Sequence, residues 1–291
     1  MAFKIAIASG KGGTGKTTVS VNLWHFFRII TGKNVQLIDC DVEEPNDLIF
    51  FPQAPLISEE PILQRIPRID PDRCTFCRKC VEYCEFNAIT VIPALQHATI
   101  HESLCHSCGA CLVACTNEAI REYPVQVGTR TKHQLLDHSS LLTGILNVGS
   151  PQQTLVIRET KKHIDEEAEI CLFDAPPGTS CPVVATVSDA DYIVLVTEPT
   201  PFGLHDLKLM VRLLEELNKP FGVIVNKAGN GDNETRRYLN ENKLEWLGDI
   251  PFSKEYAARY ASGNLLKNPT PGMEIAYRGI IQKIETAQSR L

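Results

Sequence analysis

The sequence predicts an α/β fold, a mostly parallel sheet covered by helices on both faces, with a small α+β cysteine-rich segment inserted into it. Three observations carry this prediction. A glycine-rich turn, Gly10-Lys11-Gly12-Gly13-Thr14-Gly15-Lys16-Thr17-Thr18, stands between an apolar run at residues 3–8 and a helical pattern at residues 19–27. After residue 168, short near-continuous apolar runs alternate with helical patterns, as strands buried on both faces do. Between these stretches lie eight of the chain's 11 cysteines, at positions 74 to 115, so that segment is built on a different principle.

Composition narrows the function classes. At 291 residues the chain holds one large domain or two, and its 43% hydrophobic and 22% charged content is that of a soluble globular protein. A net charge of -6 argues against a dedicated nucleic-acid binder, so no nucleic-acid partner is expected. No run approaches the roughly 18 apolar residues of a spanning helix, so no integral membrane segment is expected. Met1-Ala2-Phe3-Lys4 enters a strand directly and lacks the features of a signal peptide. The expected location is the cytoplasm, where clustered cysteines read as ligands rather than disulfides.

The first apolar run, residues 3–8, is a buried strand feeding the glycine turn. Gly10, four residues, then Gly15-Lys16-Thr17 is the Walker A spacing. Glycines at Gly10, Gly12, Gly13 and Gly15 let backbone N–H groups converge on phosphates, and Thr14 and Thr18 complete the cradle at a helix N-terminus. Lys16 is expected to reach the β and γ phosphates and the Thr17 hydroxyl to help hold Mg²⁺. Lys11 inside the loop is unusual: it could turn back into the protein, out to solvent, or across a dimer interface.

Residues 34–39 read as the second strand, with Asp39 and Asp41 at its C-terminal end, where open α/β sheets place their chemistry. Residues 42–69 lose periodicity and contain several prolines, so they read as a linker or loop. Two similar units follow with a period of 31 residues, and neither is large enough to fold without a staple. Residues 125–156 read as hairpins or loops. Residues 168–174 form a strand ending in Asp174 before Pro176-Pro177-Gly178, a Walker B setting whose carboxylate suits Mg²⁺. Strands at 192–196 and 221–225, helices at 204–217 and 231–242, a strand at 246–250 and a last long helix complete the order.

Cys74, Cys77, Cys80 and Cys84 recur in spacing as Cys105, Cys108, Cys111 and Cys115. Three closely spaced thiolates followed by a fourth suit an iron–sulfur cubane better than zinc, which favours separated pairs. His101 and His106 flank the second array as surface or supporting residues. Cys40 and Cys171 read as small core hydrophobes, and Cys181 as a buried helix-start cysteine, with a redox-active or metal-bridging role as the alternative.

The glycine loop with its extra Lys11 resembles the deviant Walker A motif of the MinD/ParA/Mrp family of P-loop ATPases, and the cysteine array resembles two-cluster bacterial ferredoxins. The resemblance implies residues 1–66 and 124–291 as the two parts of an ATPase domain and 67–123 as a dicluster ferredoxin-like insertion. Its implied cofactors are ATP, Mg²⁺ and two 4Fe–4S clusters. Cys74, Cys77, Cys80 and Cys115 would ligate one cluster, and Cys105, Cys108, Cys111 and Cys84 the other. It further implies a nucleotide-dependent homodimer in which Lys11 reaches the partner's nucleotide, with Asp41 positioning water and Asp39 in the Mg²⁺ shell. Asn226 would contact adenine, with Pro251-Phe252 flanking the base. GTP-binding P-loop proteins carry an Asp two residues after the lysine of Asn226-Lys227, and Gly229 there argues for ATP. Three functions follow as expectations: electron transfer through the clusters to a redox partner, iron–sulfur carriage or assembly, or a positioning or regulatory switch.

Overall fold

A computed structural model describes every residue except Met1, Asp137, Asn230, Asp232 and Asn268. It divides into two compact units. One comprises Met1–Glu59, Arg130–Ile145 and Ile157–Leu291; the other comprises Glu60–Thr129 and Leu146–Val156.

The first unit is built on parallel strands. β1 (Phe3–Ala8) pairs with β8 (Ile170–Asp174) and β9 (Tyr192–Thr197), and β8 pairs on its other side with β2 (Val35–Asp39). β10 (Phe221–Ala228) extends the array to β11 (Trp246–Pro251). These strands are apolar along nearly their whole length because helices cover both faces, which leaves no solvent side for polar alternation. α1 (Lys16–Thr31) packs on β1, β2, β8 and the C-terminal α9 (Pro271–Gln288). Its Val19, Leu23, Trp24 and Phe27 are buried, each worth about 1.5–3 kcal/mol of transfer free energy for residues of this size. The Trp24 indole N–H donates to the Val35 carbonyl at 3.1 Å, so burial leaves no orphan donor. Gly32, at φ 70, ends α1 in the left-handed conformation that favours glycine.

The remaining helices of this unit are α5 (Cys181–Val187), α6 (Pro201–Glu216), α7 (Glu234–Glu241) and α8 (Lys254–Ala261). α6 starts before its sequence expectation because Thr200 caps it, accepting from Gly203 N–H, with Pro201 at the first helical position. Of the helix expected at 231–242, residue 232 lies outside the described residues. Among the described residues, no helix is long and apolar enough to cross a membrane.

Two expectations about the fold need correction. The sheet is mixed: its parallel strands are extended on one side by an antiparallel pair, β6 (Ile120–Gln134) and β3 (Leu56–Ile69). Among the described residues its order is β11-β10-β9-β1-β8-β2-β7-β6-β3, with β7 at Ser140–Leu146. Gln134 N–H bonds the Pro55 carbonyl at 2.9 Å and Asp70 N–H bonds the Ala119 carbonyl at 2.7 Å, so β3 and β6 run antiparallel along their length. The second half of the stretch read as a linker is therefore β3. Its Pro61 and Pro67 broke the strand pattern, and proline is tolerated there because β3 lies at the sheet edge. Nor is a distinct ferredoxin-like dicluster insertion evident, since among the described residues no set of cysteine sulfurs closes to within the spacing of a shared metal ion.

Within the second unit the 31-residue repeat is written in the backbone. α2 (Lys79–Glu82) and α3 (Ala110–Ala114) occupy equivalent places. Phe76 and Ser107 share a left-handed φ of 54 and 52, as do Asn87 and Glu118 at 51 and 50. Antiparallel β4 (Ile89–Ile92) and β5 (His97–Ile100) join the two units of the repeat. α4 (Gln153–Lys161) follows β7.

Candidate nucleotide site and cysteine-lined cavities

The glycine loop lies at the C-terminal end of β1 and lines a cavity of about 450 Å³, a size that suits a small-molecule ligand. Lys11, Gly12, Gly13, Gly15, Lys16, Thr17 and Thr18 form one wall. Asp41, Asn226, Pro251, Phe252 and Tyr256 are among the residues that complete it. Gly10 and Thr14 do not line it: a Cβ on Gly10 would stand 2.5 Å from the Asp206 carbonyl oxygen, and Thr14 is buried. Gly15 is indispensable on two counts. Its φ is +91, and a Cβ there would stand 2.3 Å from the Asn226 side-chain nitrogen. Asn226 donates to the Thr14 carbonyl at 2.7 Å and Lys227 to the Gly13 carbonyl at 2.7 Å, so β10 holds the loop by its backbone.

Asp39 and Asp174 are opposite each other in the parallel register of β2 and β8. Asp174 accepts from the Thr17 and Ser20 hydroxyls, both at 2.8 Å, and Lys16 Nζ lies 3.9 Å from it. Asp39 accepts the Asp41 N–H at 3.1 Å and the Asp47 N–H at 3.0 Å. Asp47 begins the short 3₁₀ turn Asp47–Phe50 and is wholly buried. Burial and the nearby Asp174 push Asp39 up to about 8, and burial with Asp39 pushes Asp47 well above the carboxylate range. Asp41 faces the cavity, and burial raises it to about 6 although Lys16 works in the opposite direction.

Lys11 turns back into its own chain: its Nζ lies 2.5 Å from Glu198, which also meets Lys227 at 3.1 Å. Burial works to raise Glu198, but the two lysines outweigh it and hold the carboxyl below its ordinary value. Glu198, Ser20 and Asp47 were missed in the sequence. Ser20 was within reach of helical spacing, one turn beyond Lys16. Glu198 and Asp47 carry no local signal, because their partners are distant in sequence or in an aperiodic stretch.

Cys74, Cys77, Cys80 and Cys115 line one small cavity of the second unit, and Cys84, Cys105, Cys108 and Cys111 line another. The loops turn amide N–H groups toward sulfur: Phe76 to Cys74, Ala88 to Cys84, Ser107 to Cys105 and Ala119 to Cys115, at 3.3–3.4 Å. Cys77 and Cys108 are exposed, whereas Cys105 and Cys111 are buried. The Lys79 backbone N–H lowers Cys77, while burial pushes Cys111 up to about 11. His106 stacks on Phe86 with ring centroids 4.0 Å apart, and His101 Nε2 meets Thr90 Oγ1 at 3.0 Å.

The expectation of two 4Fe–4S clusters as resident cofactors, and of electron transfer through them, is corrected here. Among the described residues, the group of metal-ligating side chains whose ligand atoms all close to within 4.8 Å is Asp39, Asp47 and Asp174, and no set of cysteines does so. The candidate metal centre is thus made of carboxylates rather than thiols. Cys181 is a helix-start residue but exposed, because α5 begins at the surface, while Cys40 and Cys171 are buried.

The model of the CobQ/CobB/MinD/ParA nucleotide binding domain matches residues 5–266. An uncharacterized protein of Methanocaldococcus jannaschii is 31% identical over 260 residues, covering 89% of each chain. The iron-sulfur cluster carrier protein of the same organism is 24% identical over 276 residues, covering 89% of this chain and 75% of its own. The fold matches the cell division ATPase MinD of Pyrococcus furiosus with a TM-score of 0.58 and 19% identity, covering 99% of this chain and all of that one. It also matches MinD of Pyrococcus horikoshii, complexed with Mg-ADP, with a TM-score of 0.59 and 16% identity over 99% and 98% of the two chains. The family match spans most of the sequence, and the glycine loop sits in it at the end of β1: the chain belongs to the CobQ/CobB/MinD/ParA nucleotide-binding family and is a P-loop ATPase of the MinD/ParA class.

Proposed function

We propose that this ATPase uses a nucleotide-switched homodimer to deliver an iron–sulfur cluster to an acceptor protein, the cluster being cargo and not a resident cofactor. One observation carries the reading: a chain with a phosphate loop also gathers eight thiols around two cavities without closing them on an ion. Thiolates are soft ligands that suit iron–sulfur species. Loose convergence and the exposure of Cys77 and Cys108 favour handing the cargo on over keeping it. The likeness to an iron-sulfur cluster carrier protein supports the same reading. Reduced thiols of this kind would persist in the cytoplasm.

In the nucleotide half of the cycle, Lys16 and the loop N–H groups would bind the β and γ phosphates. Thr17, Asp39 and Asp174 offer the hard oxygens suited to Mg²⁺, which when bound neutralises charge on the phosphates. Asp41, on the cavity wall, would orient the attacking water, while Asn226, Pro251 and Phe252 would flank the base. Lys11 would leave Glu198 to reach nucleotide held by the second copy. Loss of the γ-phosphate would then relax the segments around Asp41 and Gly178 and part the dimer.

The test is anaerobic transfer. Protein loaded with iron and sulfide is mixed with an apo-acceptor, and metal in the separated acceptor is measured. Transfer accelerated by Mg-ATP in the wild type, and not in Lys16→Ala, is the expected result. No transfer under any nucleotide condition would sink the reading.

A further inference from the structure

The carboxylates at the ends of β2 and β8 have a third partner that the nucleotide mechanism does not use. Asp47 is fully buried, and neither of its carboxylate oxygens has a hydrogen-bond partner. Its own N–H is spent on Asp39, which fixes the turn and brings the acidic side chain to the other two. One oxygen from each of Asp39, Asp47 and Asp174 lies within 4.8 Å of the others. Oxygens that share a divalent cation at about 2.0–2.6 Å stand no more than about 4–5 Å apart, so the spacing fits one ion.

Charge gives the same answer. A buried carboxylate must be protonated, paired or bound to a metal. Among the described residues Lys16 comes within ion-pair distance of Asp174, at 3.9 Å, and one ammonium cannot match three carboxylates when all three are ionised. Asp39 and Asp174 each accept two hydrogen bonds, one per oxygen, which leaves a lone pair on every oxygen for a cation. Three hard oxygen donors select Mg²⁺, Mn²⁺ or Ca²⁺ over softer metals.

We infer that Asp39, Asp47 and Asp174 form a divalent-cation site that loads in the absence of nucleotide, with Asp47 as the ligand that makes it independent of phosphate oxygens. The ion is then in place when the phosphates arrive, and the Thr17 hydroxyl, already bonded to Asp174, stands beside it. The inference rests on reading Asp39 and Asp174 as cation ligands and is independent of the iron–sulfur cargo.

The experiment is a Mn²⁺ titration of nucleotide-free protein, with free ion counted by electron paramagnetic resonance. The wild type should bind one Mn²⁺ per chain, displaceable by Mg²⁺, and Asp47→Asn should weaken binding by more than about tenfold. ADP binding in chelator buffer reports whether Asp47→Asn keeps its loop folded. If that variant does not fold, the wild type alone decides, since its melting temperature should rise with Mn²⁺ and saturate at one equivalent. Wild-type protein that binds no Mn²⁺ without nucleotide would overturn the inference, meaning that the trio carries protons instead. Binding unchanged in folded Asp47→Asn would overturn it too. Neither negative result touches the transfer assay, so failure here and failure of the carrier reading are separable.

Discussion

The carboxylate trio of the nucleotide unit and the thiol quartets of the second unit are both gatherings of metal-ligating side chains, assembled in opposite ways. Asp39 and Asp174 hang from strand ends in fixed register and are tied by backbone and hydroxyl donors, and the turn that begins at Asp47 brings its carboxylate to theirs, so the three side chains meet. The thiols hang from short loops with left-handed residues and from the short helices α2 and α3, and span a range from exposed Cys77 to buried Cys111. They share a cavity wall without converging. Convergence that is built into a sheet suits a site that keeps one occupant, whereas convergence left to loops suits an occupant that comes and goes.

The sharpest separation of the two regions is Lys16→Ala. It should lower ATP hydrolysis by about 10²–10³-fold, the scale of losing one charge-stabilising group, while leaving iron loading of the thiols intact. Phosphate-release assays beside iron analysis of the same preparation check both halves. Equal loss of loading would erase the contrast. Gly15→Ala should come next, since it forces a side chain into a left-handed φ and onto Asn226. A stability loss of about 1–3 kcal/mol in urea, with loss of ATP binding, is expected. Gly12→Ala is the control, as a Cβ there meets nothing within 4 Å.

The carboxylate region also predicts a pH dependence that the thiol region does not share. Asp39 is raised from 3.8 to about 8, first by burial and then by Asp174. A raised value in the folded state means that the protonated form is the one the fold favours. Its stabilising contribution is therefore complete below its ordinary value and lost as pH climbs through about 8. Metal-free protein should melt at progressively lower temperature across that window, and saturating Mg²⁺ should flatten the slope. A flat profile without metal would contradict the description of the trio. The smallest effect belongs to Glu198→Gln, which frees Lys11 from its own chain. A partly exposed pair of this kind is worth about 0.2–1 kcal/mol, so nucleotide-dependent dimerisation should strengthen by only a few-fold in sedimentation.

The phosphate loop was legible because its function is carried by backbone spacing, and Asp39 and Asp174 because each ends an apolar run. Their facing register was not, since it depends on which strands become neighbours. β3 was hidden by Pro61 and Pro67, whose cost vanishes only at a sheet edge that the sequence does not mark. Asp47 and Glu198 were invisible for a related reason: each matters through partners supplied by the fold. In the cysteine segment the 31-residue repeat showed that two equivalent loops exist. Ligand spacing along a chain, however, does not set the distance between sulfurs in space, and that distance decides what the thiols can hold.

The most direct test of the contrast is a chelator challenge. Protein reconstituted anaerobically with iron and sulfide is exposed to an iron chelator with and without Mg-ATP, and the iron remaining on the protein is followed over time. Iron should leave, at a rate that changes with nucleotide. Iron and sulfide that stay bound throughout, indifferent to nucleotide, would contradict the account and make the thiol cavities permanent metal sites.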